Sequence, residues 1–319
     1  MTDISEFMFY DIPTLTTLKL GGSIKLIPGH FANRCPGIKE IVIPASVDSI
    51  GEWAFRDTPI KKVVMEDGPG KLAMNWIGGY GVFDTDKIEE LHYGRNMGNY
   101  TQFYNSPLRK LTIGKYVTEI GSDVGSADSD IEELIVPSNV RIIADGALKG
   151  IRKLILEEGL EEIGEYGVSG TFTSLHLPGT LRKIGNNAFA NVNTLTDLEI
   201  RGTDLEIGYH AFHGNKGLTG TLVIPTLVRK LDGNPFADTS YDRLVIEPSD
   251  TPIVCPEGMN FYDTPFKSYY IGRQLENISC GLPTLQEVTI GKCYKEIPKN
   301  FLYTRVRDKK CYKKVEPTA

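Results

Sequence analysis

The chain has 319 residues, and 35 Lys and Arg stand against 41 Asp and Glu, a formal net charge of −6. That balance argues against a general nucleic-acid binder, which needs a basic face and a high pI. Hydrophobic residues at 40% and charged residues at 24% exclude a disordered chain, and no run approaches the roughly 18 apolar residues of a membrane-spanning helix.

Residues 1–6 lack the basic and apolar regions of a signal peptide. The first recognisable motif is a turn, F-x-[DN]-x-P, at Phe9–Pro13, which returns at Phe55–Pro59, Phe103–Pro107 and Phe261–Pro265. A longer pattern then begins. Ile38-Lys39-Glu40-Ile41-Val42-Ile43-Pro44 is followed by Val47, Ile50-Gly51 and Ala54-Phe55. It returns at Ile131–Pro137 with Val140, Ile143 and Ala147-Leu148, and at Phe172–Pro178 with Leu181, Ile184-Gly185 and Ala188-Phe189. The second apolar anchor recurs 13 times, from Leu18, Ile41 and Val63 to Tyr269 and Val288, in steps of 19 to 28 residues. A fixed period in this range is the mark of a solenoid built from leucine-rich repeats, and it overrides the two domains that length alone suggests.

One unit explains its own letters. In L-x-x-L-x-I the last two apolar residues alternate, so they point inward from a short strand and the residue between them points out. Pro or Gly ends the strand, as at Pro44, Gly114 and Pro178. V-x-x-I-G predicts a second short strand closed by a glycine turn. The A-F pair sits where the chain turns back, with Phe31, Phe55, Phe189, Phe212, Phe236 and Phe301 predicted to stack as a ladder. No unit buries its apolar side alone, so neighbours must stack.

The wording L-x-x-L-x-I-P-x-x-V-x-x-I-G-x-x-A-F resembles the BspA-like leucine-rich repeat proteins, from about Phe9 to Phe301. The resemblance implies a non-enzymatic, cell-surface or secreted protein that adheres to a host or partner macromolecule. Cys is common in that family after A-F; here Cys35 matches and Asn215 takes the comparable slot. The expected fold is mostly β, a single right-handed curved solenoid of short parallel strands with few helical turns. Residues 1–14 form a partial N-terminal repeat or cap, residues 15–305 about 13 repeats, and residues 306–319 a degenerate C-terminal cap or tail. The sequence leaves two origins open: a piece of a longer chain whose signal peptide lay upstream, or a complete protein capped by residues 1–8.

Two outward columns run beside the anchors. In the first, charge alternates through Lys61-Lys62, Glu89-Glu90, Arg109-Lys110, Glu132-Glu133 and Arg152-Lys153. Opposite charges on neighbouring strands fix register. The second column includes Val42, His92, Ile135, Ile155, His176, Val223 and Tyr270. It reads either as β-propensity on a pleated surface or as a contact face. Two overlong steps, Val63 to Leu91 and Leu244 to Tyr269, belong to a block used twice, in which Tyr93-Gly94-Arg95 answers Ile271-Gly272-Arg273. Their insertions carry Trp76, Tyr80 and Tyr262, which either plug an enlarged turn or edge a binding face. The binding candidates are therefore Ile135, Ile155, His176, Val223, Tyr270, Trp76, Tyr80 and Tyr262.

Enzyme signatures such as G-x-S-x-G, a Walker loop and H-E-x-x-H are absent. No catalytic residue, metal ligand or cofactor is expected. His210 and His213 read as surface residues. The stretch Gly121–Asp130 lacks the Gly and Glu of an EF-hand and reads as a solvated loop in place of a lost A-F. Five cysteines without C-x-x-C predict neither a disulfide framework nor a zinc site. Asn99 and Asn277 open glycosylation sequons. The expected partner is a protein or host-surface macromolecule, with no nucleic acid and no transmembrane segment. A structural spacer and an enzyme on a repeat scaffold are the rivals.

Overall fold

The computed structural model describes residues 4–74, 81–83, 85–97, 103, 105–256, 259–261, 263–276, 278–279 and 284–293. The chain divides into two compact units, Met1–Leu160 and Glu161–Ala319. Each is a β-solenoid of short parallel strands. The only helix among the described residues is a single 3-10 turn, Thr85–Lys87.

In the first unit the L-x-x-L-x-I segments form strands β1 (Glu40–Ile43), β2 (Lys62–Met65), β3 (Glu90–Tyr93), β4 (Lys110–Ile113), β5 (Leu134–Val136) and β6 (Leu154–Leu156). Strands β1 to β4 make one parallel sheet with anchors in register, Ile41 beside Val63, Leu91 and Leu111. Strand β5 pairs with β6 through Leu134 and Leu154. The alternation holds: Ile41, Ile43, Val63 and Met65 are buried while Glu40 and Val42 face solvent. The return legs are short strands too, Leu26–Ile27 beside Ser49–Ile50 and Ala73–Met74, and Glu119–Ile120 beside Ile142–Ile143. Leu18 is the exception to the anchors. Its segment forms no strand, and β1 pairs with β2 alone.

The second unit repeats the plan with β7 (Ser174–His176), β8 (Asp197–Glu199), β9 (Thr219–Ile224), β10 (Ser240–Ile246), β11 (Ser268–Arg273) and β12 (Glu287–Cys293). Strands β7 and β8 pair, and β9 to β12 form one sheet, each parallel to the next. Its return legs, Glu162–Ile163, Lys183–Ile184, Leu205–Ile207 and Val228–Leu231, also stack in parallel.

The A-F turns form a third, hydrogen-bonded side. Phe189 N–H donates to Ala211 O and Phe212 N–H to Pro235 O. The rings of Phe189, Phe212 and Phe236 therefore lie nearly coplanar in orientation, 5.5 and 5.3 Å apart with 7° and 4° between planes. Phe31 behaves differently. Ala32, not Phe31, donates to Ala54 O, so Phe31 holds the Ala slot and meets Phe55 edge-on at 6.3 Å and 87°. Phe301, the sequon asparagines Asn99 and Asn277, and residues 306–319 lie outside the described residues.

A buried polar slot follows several of these turns, whereas after Phe189 the slot holds the apolar Val192. Thr58 Oγ1 donates to Ala32 O, Thr239 and Thr264 to Phe236 O, and Cys35 Sγ to Phe9 O. Asn215 Nδ2 donates to Phe189 O at 3.0 Å and to Phe212 O at 2.9 Å. In this chain the slot of Cys35 and Asn215 thus binds carbonyls wherever a small donor fills it. The expectation of a solvated loop at Gly121–Asp130 is corrected. Val124 is buried as the plug, both Ser126 and Ser129 donate to Ser106 O, and the carboxylates of Asp123 and Asp130 are taken by Lys149 and by Arg109 and Arg152. Two serines thus bind the carbonyl of the neighbouring turn from inside, while Ala127 and Asp128 stay exposed.

The duplicated block hides two arginines. Arg95 and Arg273 are both 0% exposed. Arg95 donates to Pro44 O and Ala45 O at 3.1 and 3.0 Å, and Arg273 to Pro225 O and Thr226 O, both at 2.8 Å. The amides of Ala45 and Thr226 are bound in turn by Glu66 and Glu247. Burial holds both guanidinium pKa values below their ordinary range. The preceding glycines make room: a Cβ on Gly94 would lie 2.0 Å from Met65 O and one on Gly272 2.5 Å from Ile246 O.

Candidate functional site

The charge ladder of the first unit is built as alternating ion pairs. Lys62 binds Glu40 at 3.1 Å, Lys61 binds Glu89 at 2.7 Å, and Lys153 binds Glu133. Arg109 and Arg152 converge on Asp130, where the alternation in the sequence points to Glu132. Hydrogen bonding from Arg152, then the charges of Arg152 and Arg109, hold the Asp130 carboxyl below the usual carboxylate range. These groups are exposed, so each pair contributes little to stability. Their effect is to neutralise the ladder beside the second column.

That second column is where the candidates lie. In β5 and β6, Ile135 and Ile155 stand side by side in register, 44% and 36% exposed. In β1 to β3, exposed Val42 is followed by half-buried Val64 and His92. His92 closes that run with polar contacts, Nδ1 at 2.8 Å from Thr112 Oγ1 and Nε2 at 3.2 Å from Asp67 Oδ1. In the second unit Val223, 42% exposed, leads to half-buried Val245 and Tyr270 on β9, β10 and β11. The structure thus brings together Ile135 with Ile155, and Val223 with Tyr270 across Val245. Trp76, Tyr80 and Tyr262 lie outside the described residues.

His176 stands apart from the apolar residues. It pairs in register with Glu199, and its Nε2 lies 3.2 Å from Ser174 Oγ and 3.1 Å from Asp197 Oδ2. Hydrogen bonds from His176 and then Ser174 hold Asp197 below the usual carboxylate range. The trio has the composition of a hydrolytic triad without its wiring. A relay needs the carboxylate and the serine on opposite imidazole nitrogens, and here both meet Nε2. This is a polar patch on a pleated surface.

A concave feature on another side escaped the sequence reading. Phe7, His30 and Trp53 occupy equivalent places in three successive turns of the first unit. The His30 ring lies 4.6 Å from Phe7, nearly parallel, and 5.0 Å from Trp53, edge-on. Three residues further on in each turn come Tyr10, Asn33 and Arg56, whose amides donate back to Phe7 O, His30 O and Trp53 O. Between the columns lies a cleft of about 520 Å³. Its signal in the sequence is an aromatic or His before each A-F slot, at a spacing of 23. In the second unit the same side carries His210, stacked on Tyr209 at 3.7 Å and on His213 at 4.7 Å. Both histidines are half-buried rather than freely exposed, and burial, then His213, lowers the His210 pKa.

No helix among the described residues is long and apolar enough to cross a membrane. The chain is similar in fold to a leucine-rich repeat protein from Bacteroides ovatus, at 19% identity and a TM-score of 0.52. That match covers 81% of this chain but 62% of the other, so the chain spans less than two thirds of its neighbour's length. A leucine-rich repeat protein from Eubacterium ventriosum matches at 15% identity and a TM-score of 0.36, over 86% of this chain and 82% of that one. Comparison with curated proteins finds no match. The profile of the BspA type leucine rich repeat region matches six copies, over residues 1–78, 76–171 and 148–267. With most of its length matched and its strands stacked as the repeat requires, the chain belongs to the BspA-type leucine-rich repeat family.

Proposed function

We propose that the chain is a non-enzymatic, adhesin-like binding protein that works at a cell surface or after secretion and grips a protein partner through its sheet faces. The observation that carries this reading is the exposed pair Ile135 and Ile155, in register and flanked by ion pairs that cancel. An apolar strip with a neutralised border is suited to burial against another protein, where the energy comes from a few central residues and a polar rim excludes water. Val223, Val245 and Tyr270 offer the corresponding strip in the second unit. In this reading His176 contributes a polar contact. A spacer would leave such strips without a use, and an enzyme would need convergent reactive groups that the Ser174, His176 and Asp197 cluster does not supply.

The test is a biosensor titration of the chain over immobilised host-surface proteins. Ile155→Asp and Val223→Asp should each weaken a partner that the wild type binds by about tenfold or more. A partner bound equally well by both variants places the contact elsewhere.

A further inference from the structure

The outer aromatic column of the first unit is not required by the fold. Phe7, His30 and Trp53 all adopt left-handed backbone, with φ of 60°, 55° and 56°. Bulky side chains are rare there, and Asn or Gly is the ordinary occupant. In the second unit the same place is held by Tyr166, Asn187, His210 and Gly233, with φ of 49°, 53°, 55° and 57°, so the turn takes small residues as well as rings. Because Asn187 and Gly233 serve as well, the backbone does not impose three rings in succession at Phe7, His30 and Trp53, and strained side chains gathered at one place point to a use beyond folding.

The cleft these rings line has a definite chemistry. Arg56 lies over Trp53 at 4.3 Å. Arg34 is held on the rim by Tyr10 Oη at 3.3 Å and Asp11 Oδ1 at 3.9 Å, with Asp57 beside it in the lining. Two arginines are balanced by two aspartates, so the cleft selects no ion. Asn33 is 4% exposed. Its Nδ2 donates to His30 Nδ1, and its Oδ1 accepts no hydrogen bond among the described residues. The volume falls in the range of small-molecule sites, about 300–1,000 Å³. Aromatic faces accept the C–H side of a saturated ring, while the planar ends of Asp, Asn and Arg match pairs of neighbouring hydroxyls. A lipid would find too many polar groups here, and an anion would meet Asp57.

We propose that this cleft binds a neutral hexopyranose, stacked against Trp53 and His30 and hydrogen-bonded through Asn33, Arg56 and Asp57. The site is distinct from the sheet faces, so it goes beyond the protein-binding reading and does not depend on it.

The experiment is saturation-transfer NMR on the full chain with four probes: the methyl pyranosides of glucose, galactose, mannose and N-acetylglucosamine. At least one should show saturable transfer, strongest on the C–H protons of one ring face. Trp53→Asn installs the residue that Asn187 shows the turn accepts. It should leave the melting temperature in place and weaken binding about tenfold or more. Asp57→Asn keeps shape and left-handed fit, and should weaken binding to a similar degree, which secures the test if Trp53→Asn fails to fold. Ile155→Asp should leave sugar binding unchanged. No saturable transfer from any probe, or transfer that survives Asp57→Asn at full strength, overturns the proposal.

Discussion

The A-F turns of the two units solve one packing problem in two ways. In the second, Ala188-Phe189, Ala211-Phe212 and Pro235-Phe236 keep the same order of letters, and the three rings stack in parallel. In the first, Phe31-Ala32 reverses the order found in Ala54-Phe55, and the rings meet edge-on. Beyond that reversal, Phe55 stacks on Phe83 in parallel again, at 5.3 Å and 8°. A one-position change in the letters thus turns one ring without disturbing the ladder of backbone hydrogen bonds around it. Offset-stacked and edge-to-face pairs are of comparable energy, so the core accepts either. The lesson is that the backbone sets the period of a solenoid and the side chains have local freedom within it.

The comparison can be broken most decisively at its best-stacked ring. Phe212→Ala removes a fully buried ring from the middle of the parallel stack and should cost about 3–5 kcal/mol in a urea melt; a mild loss would mean that the stack is not core. Arg95→Met and Arg273→Met ask whether the duplicated block works alike in both units. Pro44 O and Pro225 O keep the amides of Val47 and Val228, while Ala45 O and Thr226 O lose their arginine donor, so each variant should cost about 1–3 kcal/mol, and a large loss in one with none in the other would end the equivalence. Exchanging Phe31 and Ala32 restores the order of the second unit. The stability change should stay within about 1.5 kcal/mol, as for volume-conserving swaps, while a crystal structure should show the moved ring parallel to Phe55.

The smallest effect concerns pH. Asp130 in the first unit and Asp197 in the second both have carboxyl pKa values lowered by folding, through Arg152 and His176 respectively. A lowered folded value contributes stability above the unfolded carboxylate pKa, and that contribution is lost as pH falls through the folded one. Asp130→Asn and Asp197→Asn should therefore each flatten the acid limb of a stability-versus-pH curve slightly. Added salt should shrink both differences, because the groups are exposed and screened.

What the sequence showed follows from what periodicity measures. Inward residues recur, so every anchor from Ile41 to Val288 was legible and lies in a strand. Leu18 carried the right letter but forms no strand, since a repeat pattern does not reveal where sheet pairing stops. Turn exteriors have no inward partner and no apolar rhythm, so Phe7, His30 and Trp53 went unseen. What distinguishes them is the sign of φ, which letters reveal only when the occupant is Gly or Asn. Among the binding candidates, Ile135 and Ile155 were legible as neighbours because register follows from the anchors. The wiring of His176 was not, because it depends on which nitrogen meets Asp197. Arg95 and Arg273 were visible as a repeated Gly-Arg pair, yet composition counts every arginine as surface.

Those two arginines change how each unit can come apart. A simple repeat array is a chain of nearest-neighbour interfaces, so a terminal unit can peel away while those behind it hold. Arg95 and Pro44 belong to repeats with the Val63 repeat between them, and Arg273 and Pro225 are likewise separated by the Leu244 repeat. A contact that skips a neighbour ties three repeats into one cooperative block. Amide hydrogens across each triplet then share a single opening step, and fraying that enters from either side meets a threshold there instead of advancing one repeat at a time.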